Sequence, residues 1–261
     1  PIILNDKFFK FLEFFNNSYK KKVVYIESNE VLKDSLIELN KTTEVAIDTE
    51  FNWRNTYFPE LCLIQIATYE KIYICDVKNK INFSSLNKIF ENKHILKIFH
   101  AMRNDISILK HHFNSNLQNV CDTQIADRII EGSKDHSFSY KNLVKKYLNI
   151  NIDKTETNSD WTKRPLDESQ IKYAADDVRY LIELMSKMKN KLIKNDGQKK
   201  FEYLCEKELK ISKEPFIDLR LKKFKKNNKK SDLEKKIFLW RERLAQLKNI
   251  PPNKIFKETN I

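Results

Sequence analysis

The sequence predicts an α/β fold: a mixed β-sheet flanked by helices, followed by an α-helical C-terminal segment. Three observations predict it. Apolar runs of strand length recur through the first hundred residues, and from about residue 140 onward the apolar positions follow helical spacing instead. Order matters as well. Three strand-like runs with short links come first, which suits antiparallel neighbours. Strand–helix alternation follows, which suits a sheet with helices on both faces.

Taken in order, "FFKFLEFFNN" puts Phe8, Phe11, Leu12 and Phe15 at helical spacing. Lys10 and Glu13 interrupt it, so residues 1–22 are expected as a helical extension rather than a secretory signal. Strands are expected at 23–27 (VVYIE), 45–51 (VAIDTEF), 61–68 (LCLIQIAT), 71–77 (KIYICDV) and 95–99 (ILKIF), with Tyr69–Glu70 as a hairpin link. Residues 84–92 and 104–113 carry helical patterns, Val120–Cys121 is a short apolar piece, and Asp122 is placed to cap a helix over 123–131. Asp167 and Gln170 have capping-box spacing at the head of one long helix, expected over 168–193. Residues 221–236 hold eight lysines and few apolar residues, so 206–230 is expected as a basic linker, either solvated or touching nucleic acid. A last helix is expected from 231 until just before Pro251–Pro252.

Composition narrows the function. The chain of 261 residues carries a net charge of +13, which favours an anionic partner, nucleic acid ahead of a membrane surface. Only Gly132 and Gly197 are glycines, so neither a P-loop nor a dinucleotide-binding turn can be built, and no nucleotide cofactor is expected. Cys62, Cys75, Cys121 and Cys205 form no C-x-x-C pair. They are expected as buried reduced thiols, which points to a cytoplasmic setting. No apolar run approaches the roughly 18–20 residues of a membrane span.

Four acidic positions stand out. In "VAIDTEFNWR", strand alternation puts Asp48 and Glu50 on one face about 7 Å apart, with Thr49 and Phe51 on the other. Like charges that close repel, so either the strand end reaches water or something offsets them. Asp105 opens a helix in "FHAMRNDISIL", where a dipole role is the ordinary reading. Asp177 lies mid-helix among apolar neighbours in "YAADDVRYL", where a charge wants a partner, and Tyr173 shares its face.

"IDTEF", "FHAMRNDISIL" and "SDWTKRPLDESQIKYAADDVRYL" resemble the three exonuclease motifs of the ribonuclease D family, in the DEDD superfamily of 3′→5′ exonucleases. "TYFPELCLIQIA" and "CDTQIADRI" match the family pattern in order, and the resemblance covers roughly residues 23–205. It implies a ribonuclease-H-like mixed sheet flanked by helices (the DEDD exonuclease fold). It also implies Asp48, Glu50, Asp105 and Asp177 as metal-binding catalytic carboxylates, with Tyr173 as the motif tyrosine. Lys172 stands where the histidine branch needs His, so the tyrosine subtype is implied. Thr49, Phe51 and His100 are expected near the terminal nucleotide, while Asp176 and Asp122 are read as bystanders. Two divalent cations, Mg²⁺ or Mn²⁺, would bring about +4 against four carboxylates at about −4. The implied activity is metal-dependent 3′→5′ exoribonuclease action on RNA 3′ ends, tRNA precursors among them, releasing nucleoside 5′-monophosphates. A DNA-directed exonuclease and a silent nucleic-acid-binding scaffold are the alternatives. "FLWRERLAQLKNIPPNKIF" resembles the start of an HRDC module, so 231–261 is expected as a partial HRDC-like segment.

Overall fold

The computed structural model describes residues 21–132, 139–152, 159–226 and 230–260. The extension expected over 1–22 lies outside the described residues, save for Lys21 and Lys22 at its end. Six strands form one sheet: β1 (Lys22–Ile26), β2 (Glu44–Asn52), β3 (Glu60–Ala67), β4 (Lys71–Asp76), β5 (Leu96–Phe99) and β6 (Val120–Asp122). Their spatial order is β1-β4-β3-β2-β5-β6. β2, β3 and β4 pair antiparallel; β1 joins β4, and β5 and β6 extend from β2, all in parallel. This is the expected mixed sheet. Its central strands read as near-continuous apolar runs because both faces are covered, and Leu61–Ala67 and Ile72–Cys75 are buried throughout.

Ten helices surround it among the described residues: α1 (Asn29–Leu39), α2 (Asn87–Phe90), α3 (Arg103–Phe113), α4 (Thr123–Ile130), α5 (Tyr140–Leu148), α6 (Glu168–Arg179), α7 (Leu181–Lys194), α8 (Gln198–Ser212), α9 (Phe216–Lys226) and α10 (Asp232–Lys248). Sequence pattern alone did not anticipate α1, although Ser28 caps it and Leu32, Ser35 and Leu39 face inward at helical spacing. The helix expected over 84–92 is instead a 3₁₀ turn, Phe83–Leu86, leading into the single turn of α2.

The helix expected over 168–193 is broken at Tyr180. In an unbroken helix the Tyr180 N–H would donate to the Asp176 carbonyl. Here the Tyr140 hydroxyl takes both positions: it donates to Asp176 O at 3.1 Å and accepts from Tyr180 N at 3.1 Å. A side chain inserted into the ladder is a recognised cause of a helix break, and no periodicity in 168–193 betrays a wedge arriving from residue 140.

Of the stretch expected as a linker over 206–230, residues 206–226 are almost entirely helical, and residues 227–229 lie outside the described residues. α8 runs on to Ser212 and α9 occupies Phe216–Lys226. α8 is pinned to α3, where the Ser107 hydroxyl donates to Ser212 O at 2.7 Å and Arg103 binds Glu208. The C-terminal helices are docked too. The Asn249 side-chain oxygen, just past α10, accepts from the backbone N–H of Tyr57 and Phe58 at 3.1 and 3.2 Å. Phe58 stacks on His111 with centroids 4.1 Å apart and meets Phe216 of α9. Phe224 and Phe238 stack at 4.4 Å between α9 and α10, beside a fully buried Arg241–Glu242 pair that Arg220 completes.

One buried ion pair ties α6 to the sheet. Arg164, in the segment before α6, grips Asp76 of β4 through Nε at 2.7 Å and Nη2 at 2.5 Å, and the Tyr25 hydroxyl donates to the same carboxylate at 2.6 Å. Asp76 is wholly buried, so removing its cation strands a charge. Arg164→Ala is expected to cost about 3 kcal/mol by denaturant unfolding. A loss under about 1 kcal/mol would show that the Tyr25 hydroxyl suffices.

Candidate active site

Asp48 and Glu50 stand on β2 at its junction with the parallel half of the sheet. The register shifts between Glu50 and Phe51, so the bulge falls after the acids: they keep one face, while Phe51 leaves the simple alternation. Asp177 comes from α6, three residues before the break at Tyr180. Carboxylate oxygens of Asp48, Glu50 and Asp177 all lie within 4.8 Å of one another. Strand and helix thus converge three acids from distant parts of the sequence.

Asp105 is placed differently. Its helix α3 starts from a turn held by Asp122, whose carboxylate accepts from Ala101 N at 3.1 Å and Met102 N at 2.8 Å while also capping α4. Asp105 is buried, and its Oδ1 accepts from the Thr49 hydroxyl at 2.6 Å. It therefore stands beside the three-acid group but outside it. Thr49, expected at the nucleotide, is buried against Asp105. Asp122 serves as the expected cap, and Asp176 is paired with Arg179 and Lys172.

Tyr173 lies one helical turn before Asp177, so both project from the same face of α6, and its ring is 6.0 Å from that of Trp161. His100, half-buried at the end of β5, has Nδ1 2.9 Å from the Thr123 hydroxyl. That hydroxyl also donates to Phe99 O at 3.2 Å. Phe51 packs edge-on against Trp53 with centroids 5.4 Å apart.

Electrostatics define the site. Burial, then Asp105, Asp177 and Glu50, hold the Asp48 carboxyl well above its usual range. Burial, with Asp177 and Asp105, pushes Glu50 up to about 9. Asp105 is pushed to about 6, chiefly by burial, with the Thr49 hydrogen bond pulling the other way. Three hard oxygen donors this close fit a divalent cation: metal–oxygen distances of about 2.1 Å put opposed ligands roughly 4 Å apart. Gln65 supports that fit. It pairs across the sheet with Asp48, is wholly buried, and neither end of its amide has a hydrogen-bond partner, as expected of a group that meets an ion's hydration shell. In the sequence, Gln65 and His100 read either as supports for the acids or as satisfied core residues; the register of Gln65 against Asp48 is what places it beside the site.

Comparison with known proteins identifies the family. The profile of the 3′-5′ exonuclease family matches residues 23–193. Ribonuclease D of Bartonella henselae is 34% identical over 93% of this chain and 60% of its own length. The crystal structure of Escherichia coli RNase D superposes with a TM-score of 0.81 at 24% identity, covering 90% of this chain and 64% of that one. Brucella melitensis NrnC bound to pGG superposes with a TM-score of 0.62 at 25% identity, covering 80% of this chain and 96% of that one. The chain belongs to the 3′-5′ exonuclease family. It spans about 60% of the length of the curated ribonuclease D relatives it matches.

Raised carboxylate affinities have a thermodynamic consequence. A carboxyl whose folded-state pKa exceeds its unfolded value weakens the fold as pH rises between the two, here from about 4.5 to about 9 for Glu50. Without divalent metal, Asp48→Asn is expected to raise the unfolding midpoint at pH 8 by several degrees, about 1–2 kcal/mol, with the gain shrinking toward pH 5. A lower midpoint at pH 8, measured calorimetrically, would mean the acids do not repel.

Proposed function

We propose that the chain is a metal-dependent 3′→5′ exoribonuclease of the ribonuclease D type, cleaving terminal phosphodiesters to release nucleoside 5′-monophosphates. The observation that carries this reading is the convergence of Asp48, Glu50 and Asp177 within 4.8 Å. These three are the direct cation ligands. Asp105, fixed by Thr49, adds the fourth negative charge, which favours a pair of cations over one. Mg²⁺ and Mn²⁺ both suit an all-oxygen set. When bound, such cations supply Lewis acidity at phosphorus, a more acidic attacking water, and charge neutralisation at the leaving 3′ oxygen.

The residues of the chain supply position. Tyr173, on the same face as Asp177, orients the attacking water by a hydrogen bond; a phenol with an ordinary pKa near 10 is a weak base at neutral pH. His100 and Phe51 border the terminal nucleotide. RNA is favoured as substrate because the relatives carry the name ribonuclease D, and the Escherichia coli protein is described as an exoribonuclease in structured RNA processing. Trimming of tRNA precursors is the specific role we favour. A cytoplasmic setting suits four buried free cysteines, and no described helix is long and apolar enough to cross a membrane.

With 5′-labelled RNA, wild type is expected to shorten the strand one nucleotide at a time from the 3′ end, and EDTA to stop it. Asp48→Ala is expected to lower kcat by about 10³-fold or more, and Tyr173→Phe by about 10²-fold. Cleavage that persists in EDTA, or cuts within a circular RNA, would contradict the mechanism. Faster digestion of a matched DNA strand would reassign the substrate to DNA.

A further inference from the structure

We propose that Trp53 is a base-stacking platform, and that the basic cleft beside it holds the unpaired nucleotides immediately 5′ of the scissile phosphate. This rests on the exonuclease reading above but concerns a different surface. β2 ends at Asn52, and Trp53 is the next residue, three beyond Glu50. At about 3.3 Å per residue that is roughly 10 Å from the acidic cluster. A strand whose 3′ end lies among the carboxylates has this neighbourhood as its next contact.

Trp53 is built as a face. Its ring is steadied edge-on by Phe51 at 5.4 Å, yet the residue remains 48% exposed. Leaving so much aromatic surface in water forgoes the free energy of burying it. A flat nucleobase would recover it, and stacking accepts any base.

The ring lines a cavity of about 670 Å³ between α3 and α9, together with Arg103, Asn104, Arg220, Lys222 and Lys223. Glu258 lines it too but is held by Arg241, and Arg220 is held by Glu242, so the charge its walls turn to solvent comes from Arg103, Lys222 and Lys223. Lys223 is exposed and makes no ion pair among the described residues. Arg103 binds Glu208 but its side chain stays 53% exposed, and Lys222, paired with Glu214, is 64% exposed. The net charge of +13 points the same way. An aromatic face flanked by cations, three residues along the chain from Glu50, is the arrangement of a single-strand groove rather than of a protein-docking patch. A duplex cannot use it, because paired bases hide their faces in the stack. Trp53 thereby sets a requirement for a short unpaired 3′ tail, and trimming is expected to slow where a helix begins.

The test is equilibrium binding in EDTA, where no turnover occurs, read by anisotropy of a labelled ten-nucleotide single strand. Trp53→Ala is expected to weaken binding about tenfold, and Trp53→Phe to recover most of that loss. Lys223→Glu is expected to weaken it several-fold at low salt and to flatten the salt dependence. The Trp53→Ala defect should vanish on a blunt duplex of equal length. Equal affinity of wild type and Trp53→Ala for the single strand, or an equal loss on the duplex, would overturn the proposal. Should Trp53→Ala fail to fold, the fluorescence change on adding oligonucleotide decides instead: it is expected to be markedly smaller in Trp53→Phe, where only Trp161 and Trp240 report, and identical changes in wild type and Trp53→Phe would overturn the proposal. Failure here leaves the nuclease reading intact. That reading fails separately, if wild type releases no mononucleotides from RNA that it binds.

Discussion

The mutual repulsion of half-buried carboxylates is the constraint around which the molecule is organised. Asp48, Glu50 and Asp177 are held close enough to share an ion, and Asp105 adds its field from the side. Nothing local favours that arrangement. It persists because each acid is mounted on an element anchored elsewhere. β2 is paired on both sides, by β3 and β5, and its inward residues Val45, Ala46 and Ile47 are completely buried. The apolar sheet stabilises what the site destabilises, the usual relation between a core and a strained functional centre.

The supporting groups work through backbone rather than by touching the acids. The Asp122 carboxylate gathers N–H groups from two elements, fixing the turn that launches the helix of Asp105. The Tyr140 hydroxyl ends α6 at Tyr180, three residues after Asp177, and α7 begins at the next residue. Arg164 clamps the entry to α6 onto β4. Each of these is a polar group buried with its partners supplied, so each specifies one geometry rather than a family of them.

Much of this was legible in the sequence. Five of the six strands were visible as apolar runs, because a sheet covered on both faces demands them; the sixth showed only as the short apolar piece Val120–Cys121, and the acids were visible because charges in apolar settings need a reason. Asp122 as a cap and the Asp167–Gln170 box follow from local spacing, and the Asp167 N–H does donate to the Gln170 side chain at 3.0 Å. What escaped was long-range. The Tyr140 wedge, the Thr49–Asp105 bond and the Gln65–Asp48 register each join residues far apart in the chain, and no periodicity records them. The lysine-rich stretch misled for a related reason. Its few apolar residues, Leu219 and Phe224 among them, are enough to seat α9 when α10 supplies Phe238 opposite. α9 then lines the cavity that also holds Trp53 and Arg103, where sequence composition suggested only a tether.

The central claim is that a single ion can bridge acids drawn from β2 and α6. The most direct measurement is the anomalous difference density of a crystal soaked in Mn²⁺. The account predicts a strong peak between the carboxylates of Asp48, Glu50 and Asp177. Density that shows these side chains splayed apart with no Mn²⁺ among them would contradict it.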